Sequence, residues 1–320
     1  MPPRMLPPRT GSPGVVPARR ALLAVATAAA LAAAPAATGP ASAVQAPPGG
    51  NSAATSPDPN APKHGTVEGA RAFVRNAGSA KAVAAFRELH GDRVAREQVH
   101  HFWGVEPAAG SHDGFQATHS VDTSYKVSFK DDYTYTPTIK AAGSCMEITT
   151  VYSQAVGNEI WAWDWCGGNG PKKEVKMDAD FLQTYTKTVN GRPAYSVQLV
   201  KTDAGQNAWS AYLYNFKTSS WSLFYSKSGT DTSSLKYGWD IFEIYASRNS
   251  ATNTAYYCTD AKNVVFESSS IQLRNGGAWK PASPSESPWQ PVTSPNPNDY
   301  LCPALKFVRE GANDHWIVRQ

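Results

Sequence analysis

Two runs of the chain, CMEITTVYS (residues 145–153) and EIWAWDWC (residues 159–166), alternate in side-chain character with a period of two. That period predicts strands, because successive side chains of a strand point to opposite faces. Runs of the same kind continue to the C-terminus, among them YSVQLVK, AWSAYLYNF, WSLFYSKS, GWDIFEIYA, AYYCT, SIQLR, LKFVRE and HWIVRQ, punctuated by Gly, Asn, Ser and Pro. Residues 104–320 therefore predict an all-β domain, a two-sheet antiparallel sandwich or jelly roll of lectin-like architecture. The proline-dense stretch from Pro281 to Pro303 is excluded from any central strand. Upstream the period changes. Val67, Ala70, Phe73 and Val74, then Val83, Phe86 and Leu89, recur at three and four, with Thr66 and Ser79 placed as N-caps and Asp92 opening a third helix through Phe102. Residues 63–103 thus read as a small helical N-terminal segment carrying more bases than acids.

The first 62 residues bear on compartment and charge. Arg19 and Arg20 precede the apolar run ALLAVATAAALAAA, and Ala41-Ser42-Ala43 follows as a small-residue cleavage signature. Residues 1–43 read as an export signal peptide, which predicts an extracellular protein, and residues 44–62 as a linker with too little apolar surface to fold. Removing Arg4, Arg9, Arg19 and Arg20 leaves 26 bases against 26 acids. The mature chain is then formally neutral, without the basic field that nucleic acid or an anionic membrane requires. Cys145, Cys166, Cys258 and Cys302 are even in number, which in an exported chain predicts two disulfides. Their spacings do not suit zinc, and no metal or other cofactor is expected.

Treating QAVG (residues 154–157) as a four-residue loop sets Ser153 opposite Asn158. Cys145 then falls opposite Cys166, and Glu147 opposite Asp164. One face of this hairpin carries Met146, Ile148, Thr150 and Tyr152 with Trp161, Trp163 and Trp165, which reads as an inner sheet face or as an indole platform for sugar rings. The other face carries Glu147 and Asp164, with Glu159 on the side away from them. Like charges in direct opposition are unfavourable. The pair is therefore solvated, bound to a cation, matched by a basic neighbour, or raised in pKa as a proton-sharing dyad, the candidate catalytic acid and base. A second hairpin, with Phe216 opposite Trp221, gathers Tyr212, Tyr214 and Tyr225 on one face; with Trp239 and Glu243 these form the candidate ligand-binding set. Five histidines, His90, His100, His101, His112 and His119, cluster near the helical segment and read as surface residues rather than metal ligands, since His100 and His101 point two ways on any regular element. No G-x-S-x-G, H-E-x-x-H or phosphate-cradling Gly-rich motif occurs.

The run AWSAYLYNFKTSSWSLFYSKSG, followed by GWDIFEIY and AYYCT, resembles that of secreted bacterial proteins described as carbohydrate-binding. The resemblance covers roughly residues 120–320 and implies a lectin-like sandwich with a polysaccharide or glycan as partner. A more distant similarity is to neprosin-type glutamic peptidases, exported sandwiches with an N-terminal pro-segment and paired catalytic glutamates, one of which precedes a Gly-Trp step. Here that step is Gly238-Trp239, and Lys236 and Tyr237 stand where the acid is expected. Three classes of function follow. They are a carbohydrate-binding protein, an exported hydrolase (glycosidase or glutamic-type peptidase) using paired carboxylates, and a structural or inhibitory secreted protein.

Overall fold

The computed structural model describes residues 98–108, 110–167, 171–230, 237–290 and 295–320. The expected signal peptide, linker and first two helices, with His90, lie outside these residues. The third expected helix does not reach Phe102. Gln98–Val105 is instead strand β1, because all eight residues pair with β11 (Trp239–Asn249) and bury Trp103 and Val105 in the core. A long-range partner overrides the local helical period here.

The described chain forms two antiparallel sheets stacked as a sandwich. The first runs β15 (Trp289–Gln290), β1, β11, β3 (Tyr133–Lys140), β4 (Met146–Ser153), β5 (Gly157–Asp164) and β6 (Lys173–Lys176), with β12 (Thr254–Ala255) on β11. The second runs β10 (Ser220–Lys227), β9 (Ala208–Asn215), β8 (Arg192–Asp203), β2 (Gly114–Ser120), β13 (Val265–Asn275), β17 (His315–Arg319) and β16 (Lys306–Glu310). Here β14 (Ala278–Pro281) pairs with β13, and β7 (Thr186–Val189) pairs with β8. Among the described residues, the proline-dense arm adds only edge pairing, Pro281 at the end of β14 and the strand β15. Two short helices, α1 (Ala179–Tyr185) and α2 (Tyr256–Asp260), complete the described fold. AYYCT, which alternation alone reads as a strand, lies mostly in α2. Cys258 within it is bonded to Cys302, and Tyr257 donates to the Tyr300 carbonyl.

The inner faces meet through Ile139, Met146, Ile148, Ile160, Ala162, Phe242 and Ile244 of the first sheet and Phe115, Val197, Leu199, Leu213, Phe266 and Val318 of the second. Burial of each large apolar side chain stabilises by about 1.5–3 kcal/mol. A polar network crosses this interior. His119 Nε2 lies 2.8 Å from Asp240, Trp316 Nε1 donates to the same carboxylate at 2.8 Å, and Tyr195 links His119 to Thr150. Five strands from both sheets thus share one buried network.

Two registers differ from the sequence expectation. In the β4–β5 hairpin Ser153 faces Gly157, not Asn158, so Glu147 pairs with Trp163 and Asp164 with Met146. Gly157 adopts φ of 85°, the left-handed conformation that closes a three-residue loop. The one-residue slip moves every side chain of one strand to the other face relative to its partner. The Cys145–Cys166 disulfide forms as expected, with Cα atoms 5.4 Å apart, but as a diagonal link beyond the strand ends: it is Trp165 N–H that donates to the Cys145 carbonyl. In the β9–β10 hairpin Trp221 faces Tyr214, and a bulge at Phe224 turns Tyr225 to pair with Ala211 on the core side. Tyr225 therefore leaves the face of Tyr212 and Tyr214.

The interior network gives a first prediction. Asp240→Ala strands the buried donors of His119 and Trp316 and is expected to lower unfolding free energy by about 3–5 kcal/mol, read from the urea midpoint at constant m-value.

Candidate active site

The outer face of the first sheet is built by alternation on five adjacent strands. β1 presents His100 and Phe102, β11 presents Trp239, Ile241, Glu243 and Tyr245, and β3 presents Tyr133, Tyr135 and Thr138. β4 and β5 add Glu147, Thr149, Trp161 and Trp163, with Trp165 just beyond. Most of the aromatic residues belong to a second hydrophobic cluster, separate from the sandwich interior. The indoles of Trp161, Trp163, Trp165 and Trp239 are 2–6% exposed. They are neither the inner wall nor an open platform: they pack on the outer face around buried acids.

Glu147 is the centre of that arrangement. Its Oε1 accepts from Thr138 Oγ1 at 2.5 Å and Trp239 Nε1 at 2.9 Å, and its Oε2 accepts from Trp165 Nε1 at 2.8 Å. Close backbone approach seats Trp239. A Cβ on Gly238 would lie 2.5 Å from the Lys140 carbonyl oxygen, so only glycine fits before that tryptophan. Lys140, the direct partner of both Trp239 and Glu147, places its Nζ 5.1 Å from the Trp239 ring centroid.

Glu243 lines the same pocket as Glu147, together with Tyr135, Thr149 and the three β5-side tryptophans. Its Oε1 lies 2.5 Å from His100 Nε2, and the imidazole stacks on Tyr245 at 3.9 Å. Burial pushes His100 down to about 3, so the ring is neutral at ordinary pH. His100 Nδ1 is buried with no hydrogen-bond partner. An unpartnered lone pair is cheaper to bury than an unpartnered N–H, which makes Nε2 the protonated nitrogen and the donor to Glu243. Burial pushes both carboxyls up, Glu243 to about 8 and Glu147 to about 7. The charge of Glu243 raises Glu147 further, while the three donors on Glu147 pull it back down. The pocket thus holds two carboxyls that resist double ionisation.

The residues singled out from the sequence are dispersed. Glu147 lies in the pocket, but Asp164 is on the opposite face of the sheet. There it bonds to Lys227 at 2.7 Å and accepts from the Cys166 and Gly167 amides. The two do not form a pair. Glu159 shares the face of Glu147, contrary to expectation, and is held by Trp161 Nε1 at 2.6 Å. Trp239 and Glu243 line the cleft, whereas Tyr212 and Tyr214 belong to the far sheet and Tyr225 reaches toward Asp164. His100, His101, His112 and His119 are all buried, not surface residues. His100, the partner of Glu243, is the residue beside this pocket that the sequence pattern does not single out. Its only signal was alternation in HHFWGV, which places it on the face away from Trp103.

No family model matches the sequence, and no curated protein matches it. Among solved structures the chain is similar to scytalido-glutamic peptidase bound to a peptide-based transition-state analogue, at 14% identity and a TM-score of 0.36, covering 68% of this chain and 97% of that one. It is similar also to SCP-B, a member of the eqolisin family of peptidases, in a complex with the tripeptide Ala-Ile-His. That match has 14% identity and a TM-score of 0.35, covering 68% and 96% of the two chains. These neighbours are glutamic peptidases rather than carbohydrate-binding proteins. At this level of likeness they assign no residue and no activity to this chain.

The buried groups set a pH dependence of stability. Burial raises Glu106 to about 8, alongside Glu147 and Glu243, and lowers His101 and His112 to about 4, alongside His100. From about pH 4.5 to 6.5 the unfolded histidines bind protons that the folded ones do not, while the folded carboxyls keep protons that the unfolded ones lose. The two slopes oppose. Above pH 6.5 the carboxyl slope alone remains, and stability falls toward pH 8 by up to about 1.4 kcal/mol per unit for each group. Glu243→Gln removes one of these groups. Scanning calorimetry is expected to give a shallower decline for the variant above neutrality, and a higher Tm than wild type at about pH 8.5.

Proposed function

We propose that this chain is a hydrolase that cleaves peptide bonds with Glu147 and Glu243 as its general base and general acid. The observation that carries this reading is the presence of both carboxyls in one aromatic-lined pocket, each held above the ordinary carboxylate range. Their partners separate the roles. Three donors favour the anion of Glu147, and a carboxylate has lone pairs enough to accept a water proton as well. Glu243, held by His100 and by a hydrogen bond with Tyr245, keeps its proton near neutrality and is the acid of the pair.

The chemistry balances with these two groups alone. Glu147 takes a proton from water as the oxygen attacks the carbonyl carbon, and Glu243 protonates the carbonyl oxygen, giving a neutral gem-diol. Glu147 then returns its proton to the leaving nitrogen. As the C–N bond breaks, Glu243 recovers a proton from the diol, and both groups are reset. Carbohydrate binding has less support, because the four indoles are buried and those of Trp161, Trp165 and Trp239 direct their N–H groups at carboxylates instead of offering open ring faces. Two disulfides suit an oxidising compartment, and no helix among the described residues is long and apolar enough to cross a membrane. Export to the cell exterior completes the reading.

Assays on casein and on a mixed peptide library, followed by mass spectrometry, test the proposal. Wild type is expected to cleave, and Glu147→Gln and Glu243→Gln each to lower kcat/KM by at least about 100-fold. Asp164→Asn, on the opposite face, is expected to stay within a few-fold of wild type. The kcat/KM profile should rise as the pair loses its first proton and fall as it loses the second. Cleavage of polysaccharide but not peptide, or full activity in either glutamine variant, overturns the assignment.

A further inference from the structure

Strand β1 carries a third acid onto the same face. Phe102 and Gly104 point outward by alternation, and Glu106 follows two residues later, its amide tied to the Pro288 carbonyl at 3.0 Å. Gly104 lets this edge press against β11, since a Cβ there would meet the Asp240 carbonyl oxygen at 2.2 Å. Glu106 is thereby carried beside Tyr237, Trp239 and Ile241. With Phe102 and Trp165 these residues line a second, narrow cleft. Glu243 and Trp165 belong to both clefts, so the second adjoins the reacting pair.

The hydrolytic steps use Glu147 and Glu243 and leave Glu106 without a part in the reaction. Its surroundings suit another task. A carboxyl among aromatic rings is the recognition set for a guanidinium or ammonium group, through a charge-assisted hydrogen bond and cation–π contact. Lys140 Nζ already lies 5.1 Å from the Trp239 ring centroid, so an entering cation is left to the Glu106 carboxyl and the rings of Phe102, Tyr237 and Trp165. Burial pushes the Glu106 carboxyl up to about 8, and an entering cation would favour its ionised form.

The geometry points to a specificity subsite at Glu106, next to the catalytic pair, that takes the cationic side chain of an arginine or lysine in the substrate. This rests on the peptidase reading for its role in catalysis, but binding at the subsite is measurable without turnover. Nα-acetyl-arginine methylamide and its neutral citrulline isostere are titrated into the full chain while the indole N–H resonances of Trp165 and Trp239 are followed by NMR. The arginine compound is expected to shift both resonances and to bind about tenfold or more tightly than the citrulline compound. Glu106→Gln is expected to reduce arginine affinity to the citrulline level, and Asp164→Asn, on the opposite face of the sheet, to keep the wild-type preference. Equal affinities in wild type, a preference unchanged by Glu106→Gln, or no shift at these indoles overturns the subsite. Failure of the peptidase reading shows separately, as absence of peptide cleavage by a wild-type chain that still prefers arginine.

Discussion

Seating Ser153 opposite Gly157 is the constraint on which the site depends. It faces Glu147 with Trp163 and turns both away from the sandwich interior, toward Thr138, Trp165 and Trp239. A slip of one residue would send Glu147 into the apolar space between the sheets, with no donor of the present set in reach. The interior instead receives Met146, Ile148, Ile160 and Ala162, whose volumes fit against Val197, Leu199 and Leu213 of the second sheet.

The indoles resolve a conflict that the buried acids create. Removing a carboxylate from water without partners costs several kcal/mol, and two such groups in one pocket also repel. Trp165 and Trp239 supply apolar bulk that excludes water and, from the same side chain, an N–H that satisfies a carboxylate oxygen. Burial and partial satisfaction together leave the acids able to titrate near neutrality, where proton exchange with a substrate is easiest. Tyrosine or phenylalanine in the same places would provide the bulk with a different donor geometry or none.

The two faces of β11 have separate tasks. Asp240 points inward to His119 and Trp316 and fixes the strand between the sheets, while Trp239 and Glu243 point outward into the pockets. Alternation thus couples the rigidity of the core network to the placement of the outer acids with no intervening loop. β1 extends the same logic, with Trp103 and Val105 inside and His100, Phe102 and Glu106 outside.

Local periodicity was enough to read an all-β sandwich, the assignment of most strands, the Cys145–Cys166 pairing and the grouping of Trp239 with Glu243. Each of these depends on neighbours in sequence, or on a link that tolerates either register, as the Cys145–Cys166 bridge does. The site was only half legible. Glu147 and Glu243 were both singled out, but in different sets, and Asp164 was placed beside Glu147 because the loop was given four residues instead of three. His100 was hidden for a related reason: a buried histidine and a surface one look alike until a distant strand covers it. Alternation states that two faces exist. Which one is inside is decided by turn closure and by the competition of distant strands for the core, and those forces act only in the assembled tertiary structure.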